Sequence, residues 1–131
     1  MRTITLASVE RYYKNQGQEA ERVFRFTLTG KLEHADNYRG ADCQGIQIKT
    51  SKASICKGLD IRTHVQNDSA IEYAYVLKDL TTAYIMNPDE YIEFIDLFAR
   101  ADHDSSGKNG GNVKLRLKTE NTTMREWLAR A

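Results

Sequence analysis

The chain has 131 residues, enough for one domain with a substantial core and too few for two. Lysine plus arginine (19) nearly balance aspartate plus glutamate (18), so no global basic field attracts a polyanion, and any nucleic-acid surface has to be a local patch. No apolar run approaches the roughly 20 residues of a membrane helix, and the amino terminus lacks a charged-then-apolar signal pattern, so the cytoplasm is the expected compartment.

Residues 1–6 are short and β-branched. Ser8 then reads as an N-cap, and Val9, Tyr12, Tyr13, Gln16, Ala20, Val23, Phe24, Thr27 and Leu28 fall on one stripe at helical spacing, with Arg11, Gln18, Arg22 and Arg25 opposite. The prediction is a long helix closed by Gly30. Within it Gly17 costs about 1 kcal/mol relative to alanine and permits a kink or a close approach. The polar stretch from Lys31 to Arg39 predicts a short strand and a turn over Asn37-Tyr38-Arg39-Gly40.

Ile46-Gln47-Ile48-Lys49-Thr50 alternates, which in a strand places Ile46, Ile48 and Thr50 on one face and projects Gln47 and Lys49 together from the other. A tight hairpin through Gln44-Gly45 would set Asp42 beside Gln47. The basic, hydroxyl-rich Thr50-Ser51-Lys52-Ala53-Ser54 suits phosphate contacts, Lys52 among them, and a strand follows at Ile55-Cys56. Cys43 and Cys56 form no CxxC pair and are expected as free thiols. Leu59, Ile61 and Val65 predict a short helix ending in an Asn67-Asp68 turn, with His64 on it as a surface residue or an active-site base.

Ile71 to Lys78 and Thr82 to Met86 read as a hairpin of core strands. Asn87-Pro88-Asp89-Glu90 then announces a broadly apolar helix: an Asn cap, proline at the first position and two acids in the first turn. Asp102 to Asn112 is a glycine-rich loop in which Lys108 and Asn109 suit a DNA phosphate or base edge. From Val113 to Lys118 the chain alternates again, with Lys114, Arg116 and Lys118 on one side as its best basic stripe. Thr122 or Asn121 caps a last helix whose Met124, Trp127 and Leu128 face the core.

Asp42 followed by Gln47-Ile48-Lys49 resembles the PD-(D/E)xK signature of the restriction-endonuclease-like nuclease superfamily, in the variant where Gln stands for the second acid. An acid, a metal-binding amide and a lysine on one open face are what metal-assisted phosphodiester hydrolysis requires. The resemblance implies an α/β fold: a single-domain sandwich, residues 1–131, with a mixed central sheet flanked by helices and an αβββαβ core. It implies a divalent-metal-dependent DNA endonuclease using Mg²⁺ or Mn²⁺, held by Asp42, Gln47 and a glutamate from the first helix, Glu21 before Glu19. Family spacing keeps Asp36 as an alternative to Asp42. The resemblance implies a homodimer that cuts both strands or a nick-only product, and the alternative function is a non-catalytic DNA- or protein-binding module on the same fold.

Overall fold

The computed structural model describes residues 1–32, 43–103 and 113–130. In chain order its elements are β1 (Arg2–Thr5), α1 (Gln16–Thr29), β2 (Ile46–Thr50), β3 (Ser54–Lys57), α2 (Ile61–Asn67), β4 (Glu72–Val76), β5 (Thr82–Met86), α3 (Pro88–Phe98), β6 (Ala99–His103), β7 (Val113–Leu117) and α4 (Thr122–Leu128). Caps fix most helix starts. Asn87 accepts from the Glu90 amide while the Glu90 side chain accepts from the Asn87 amide, a reciprocal box with Pro88 in the first turn. Asp60 and Asn121 cap α2 and α4 in the same way, each by a side-chain oxygen on a backbone N–H.

The first helix is shorter than its apolar stripe suggests. Asn15, not Ser8, is the N-cap, so Gly17 stands in the first turn and introduces no mid-helix weakness. The segment before it is held by Glu19, whose two oxygens accept from the Tyr12 and Tyr13 amides. Arg22 and Arg25, expected on the solvated face, are buried: Arg22 pairs with Glu19, donates to the Glu10 carbonyl and lies over the Tyr12 ring. The expected strand and turn over Lys31 to Arg39 lie almost wholly outside the described residues.

A mixed sheet flanked by helices is present, but the strands divide into two sheets instead of one. The first has the order β1-β5-β4-β2, with β2 parallel to β4 and the other pairs antiparallel; the second, β3-β7-β6, is wholly antiparallel. The division occurs just after Thr50. There the Ala53 amide turns back onto the Thr50 carbonyl and Lys52 takes a positive φ of 65°, so the chain leaves the first sheet before β3 begins. β2 then joins β4 through a crossover that contains β3 and α2, as a parallel pair requires.

Two apolar cores lie on the two faces of the first sheet. On one, Ile46, Ile48, Ala74, Val76, Ala83 and Ile85 meet Ala20, Val23 and Phe24 of α1. On the other, Tyr73, Tyr75 and Met86 meet Tyr91, Phe94, Ile95 and Phe98 of α3, with Ile55 and Leu117 of the second sheet and Met124 and Leu128 of α4 closing the layer. Strand alternation therefore sends Gln47 and Lys49 to the tyrosine face, away from α1.

Candidate functional site

Gln47 and Lys49 do not open onto flat solvent. They line a cleft of about 280 Å³ with Ile55, His64, Asn67, Asp68, Tyr73 and Tyr91, between the β2 edge of the first sheet, the β3 edge of the second and the C-terminal turn of α2. The register of β2 on β4 sets their parity, and a hairpin turn leads into the strand. Cys43 and Ile46 exchange backbone hydrogen bonds of 3.1 and 2.8 Å across Gln44 and Gly45, whose φ values of 50° and 81° make a two-residue turn of the primed kind. Gly45 is required there, since a Cβ would also meet Ile71 Cδ1 at 3.0 Å.

Each polar member of the cleft is positioned by its element. Gln47 pairs in register with Tyr73, and Lys49 Nζ donates to the Ser54 carbonyl at 3.1 Å, which holds the ammonium toward β3. Asp68 sits at the C-cap of α2, where Oδ1 accepts from the Ala70 amide (3.2 Å) and Oδ2 from Tyr73 Oη (3.1 Å). Burial pushes the Tyr73 phenol well above its ordinary value, and the Asp68 carboxylate beside it adds to the shift, so Tyr73 remains a donor. The Tyr91 ring stacks on Tyr73 with centroids 3.9 Å apart and planes 4° from parallel. Its hydroxyl is buried and has no hydrogen-bond partner among the described residues. Burial raises the Cys56 thiol above its ordinary value, so it stays protonated.

The residues singled out from the sequence separate clearly. Gln47 and Lys49 come together as expected. Asp42 and Asp36 lie outside the described residues, as do Lys108 and Asn109. Glu21 and Glu19 ride on α1, across the first sheet from the cleft that Gln47 and Lys49 line, and Glu19 is fully buried with both oxygens accepting from backbone amides. The expectation that the first helix delivers an acid to Gln47 is thus not met by Glu19. Glu21 is not among the cleft's lining residues. Asp68, Asn67 and Tyr91 were not identified as site residues from the sequence; the Asn67-Asp68 turn was legible, its convergence on Gln47 was not. Among the described residues no three His, Cys, Asp or Glu side chains form a metal-holding group.

The basic stripe is real but differently composed. β7 is the central strand of the second sheet, and residues directly opposite one another share a face. Lys114 stands opposite Lys57 and Asp102, and Arg116 opposite Ser54 and Arg100. Arg116 is already engaged: Nε pairs with Asp102 at 2.8 Å and Nη1 donates to the Lys52 carbonyl at 2.9 Å. That Arg116 hydrogen bond holds the Asp102 carboxyl below its ordinary range, with the charges of Lys114 and Arg100 adding to the effect. Lys118, just past the strand, and Lys52 are exposed. Lys57 and Arg100 are therefore the stripe's missed members. Arg100 escaped notice because β6 carries none of the residues that usually signal a strand.

No helix among the described residues is long and apolar enough to cross a membrane. Comparison with known proteins finds no matching family model, no matching curated protein and no matching solved structure.

Proposed function

We propose that this chain is a divalent-cation-dependent DNA endonuclease of the restriction-endonuclease-like kind, hydrolysing phosphodiester bonds at the Gln47 and Lys49 cleft. The observation that carries this reading is that the two side chains of the QxK strand open together into a cleft shared with a carboxylate, an imidazole and a second amide. The donor set fits a hard cation, because Mg²⁺ takes oxygen ligands and is commonly bound through one or two carboxylates plus substrate phosphate. When bound, such an ion polarises the phosphoryl oxygen and acidifies water. Lys49, tethered through Ser54, supplies an ammonium to the charge that develops on the phosphate. Asp42, which lies outside the described residues, remains a proposed acid of the reaction, and a homodimer would address the two strands of a duplex.

The basic face of the second sheet supports DNA as the substrate. Two pairs of like charges, Lys57 with Lys114 and Arg100 with Arg116, stand opposite each other, and Asp102, paired with Arg116, offsets only part of that charge, which leaves the face net basic for an anion such as phosphate. Among the described residues Asp102 is the acid on that face. Incubation of plasmid with wild-type protein and Mg²⁺ should give nicked or linear product, and Lys49→Ala should not. Intact plasmid with both Mg²⁺ and Mn²⁺ would overturn the reading. The same basic face favours a second reading, a DNA-binding module without turnover, which predicts salt-sensitive binding and no cleavage.

A further inference from the structure

We propose that the groove between α2 and α3 docks a basic, amphipathic helical segment of a partner protein. The groove has a volume of about 730 Å³, against about 280 Å³ for the Gln47 and Lys49 cleft, and it stands apart from the nuclease reading. α2 divides its residues between the two hollows: Arg62, Val65 and Gln66 line the groove, whereas His64 and Asn67 line the cleft. The opposite wall is one stripe of α3, where Asp89, Ile92, Glu93, Asp96 and Leu97 recur at three- and four-residue spacing.

Charge and apolar surface together select the occupant. Over its 11 residues α3 carries four acids, Asp89, Glu90, Glu93 and Asp96, and no base, in a chain whose net charge is +1. Asp89 and Glu90 suit the positive end of the helix, and Glu90 is also held by the Asn87 cap and the amino terminus. Glu93 makes no ion pair among the described residues, and Asp96 stands in the last turn, where the helix dipole opposes an anion. Arg62 pairs with Asp96 across the helices at 3.0 Å, yet the lining still holds three acids to one base. Beneath that rim Val65 and Ile92 are half-buried against the core, and Leu97 beside them is 48% exposed. A bare cation would answer the acids and leave this apolar strip wet. Anionic lipid or nucleic acid is repelled, and a second copy docking by the same face would set acid against acid across a two-fold axis. A helix with apolar anchors flanked by lysine or arginine meets both demands. From Asp89 to Leu97 the wall runs roughly 12 Å along the axis of α3, room for anchors two turns apart.

Fluorescence anisotropy with a labelled synthetic peptide of leucine and lysine tests this, about 15 residues long so that it can be helical, with leucines at three- and four-residue spacing. Wild type should bind it at least about tenfold more tightly than a scrambled peptide of the same composition, and should not bind a version with glutamate for lysine. Glu93→Lys and Leu97→Ser, both at exposed positions, should each weaken binding about tenfold or more with circular dichroism unchanged. Glu126→Lys, exposed on α4, and Asp68→Asn, in the cleft, should leave the affinity as it is. Equal binding of the scrambled peptide, or wild-type affinity in either groove variant, would overturn the proposal. Loss of binding in Asp68→Asn instead would place the peptide in the cleft and overturn it too. Sedimentation of the free chain covers the remaining occupant: dimerisation that Leu97→Ser abolishes would overturn the proposal in favour of a second copy. Should one groove variant lose its circular dichroism, the other decides.

Discussion

The two faces of β2 are built from alternate residues of five, yet they differ in kind. Toward α1, Ile46 and Ile48 pack against Val23 and Phe24, and the acid on that side, Glu19, has its oxygens met by the Tyr12 and Tyr13 amides and by Arg22. Toward the cleft, Gln47 and Lys49 share the lining with Asp68, whose carboxylate has lone pairs to spare, and with Tyr91, whose hydroxyl has no partner among the described residues. Glu19 is held by the fold on both oxygens, whereas Asp68 keeps acceptor capacity beside an open cleft. The two acids Glu19 and Asp68 make the contrast sharpest.

The largest effect should come from the closed face. Glu19→Ala would release the Tyr12 and Tyr13 amides and leave the Arg22 charge buried without its partner, destabilising the fold by about 3–5 kcal/mol. Urea denaturation measures it, and a loss below about 1 kcal/mol would show that Glu19 does not close this face. Next, Ile48→Ala should cost about 2–5 kcal/mol by leaving a cavity against α1. Its neighbour Lys49→Ala should change stability by no more than about 0.5 kcal/mol. If the proposed function is right, that same variant should lose about 10²–10³ in cleavage rate. Equal stability losses at 48 and 49 would erase the distinction between the faces.

The tyrosine face should also respond to alkali. Burial, above all, raises the phenols of Tyr73, Tyr75 and Tyr91 from an ordinary value of 10.0, with nearby acids or phenols adding to it. The folded chain therefore holds these protons where the unfolded chain releases them. Their contribution to stability is full below pH about 10 and declines as the pH rises through the elevated folded values. In ultraviolet absorbance the ionisation of these three buried tyrosines should come after that of exposed ones such as Tyr12 and coincide with loss of circular dichroism, and full tyrosine ionisation in an intact fold would contradict this.

Smaller effects probe the basic face and Gln47. Neutralising Lys57, Arg100 and Lys114 together should flatten the salt dependence of DNA binding by up to about three units, with Arg116 left to its Asp102 pair. An unchanged slope would place phosphate elsewhere. Gln47→Glu should tighten Mn²⁺ binding, since a carboxylate replaces an amide next to a hard cation, while Gln44→Glu in the turn should move it little. Weaker binding in Gln47→Glu would remove the ion from this strand.

Local signals were the legible ones. The Asn87-Pro88-Asp89-Glu90 start of α3, the Thr82 to Met86 strand, the Gln44-Gly45 turn and the polar pair on β2 all depend on residues within a few positions of one another. The start of α1 was misread because Val9, Tyr12 and Tyr13 prolong the apolar stripe, whereas the decisive event is Asn15 accepting from the Gln18 amide and Glu19 gathering the preceding chain. β6, Ala-Arg-Ala-Asp-His, has no β-branched residue, and only pairing with β7 makes it a strand. The cleft's acid was hidden for the same reason. Asp68 and Tyr91 enter the cleft that Gln47 lines through a crossover and a ring stack, which nothing nearby in the sequence encodes.

The turn at Gln44 and Gly45 has a consequence for how this chain can vary in length. Because side chains alternate with a period of two, sliding β2 by one residue against β4 would exchange its faces, turning isoleucines into the cleft and a lysine against Phe24. Engineered variants should therefore tolerate a change of length at this turn where the Cys43 side of the bridge absorbs it and β2 keeps its register on β4, and fail where β2 itself slides by one residue.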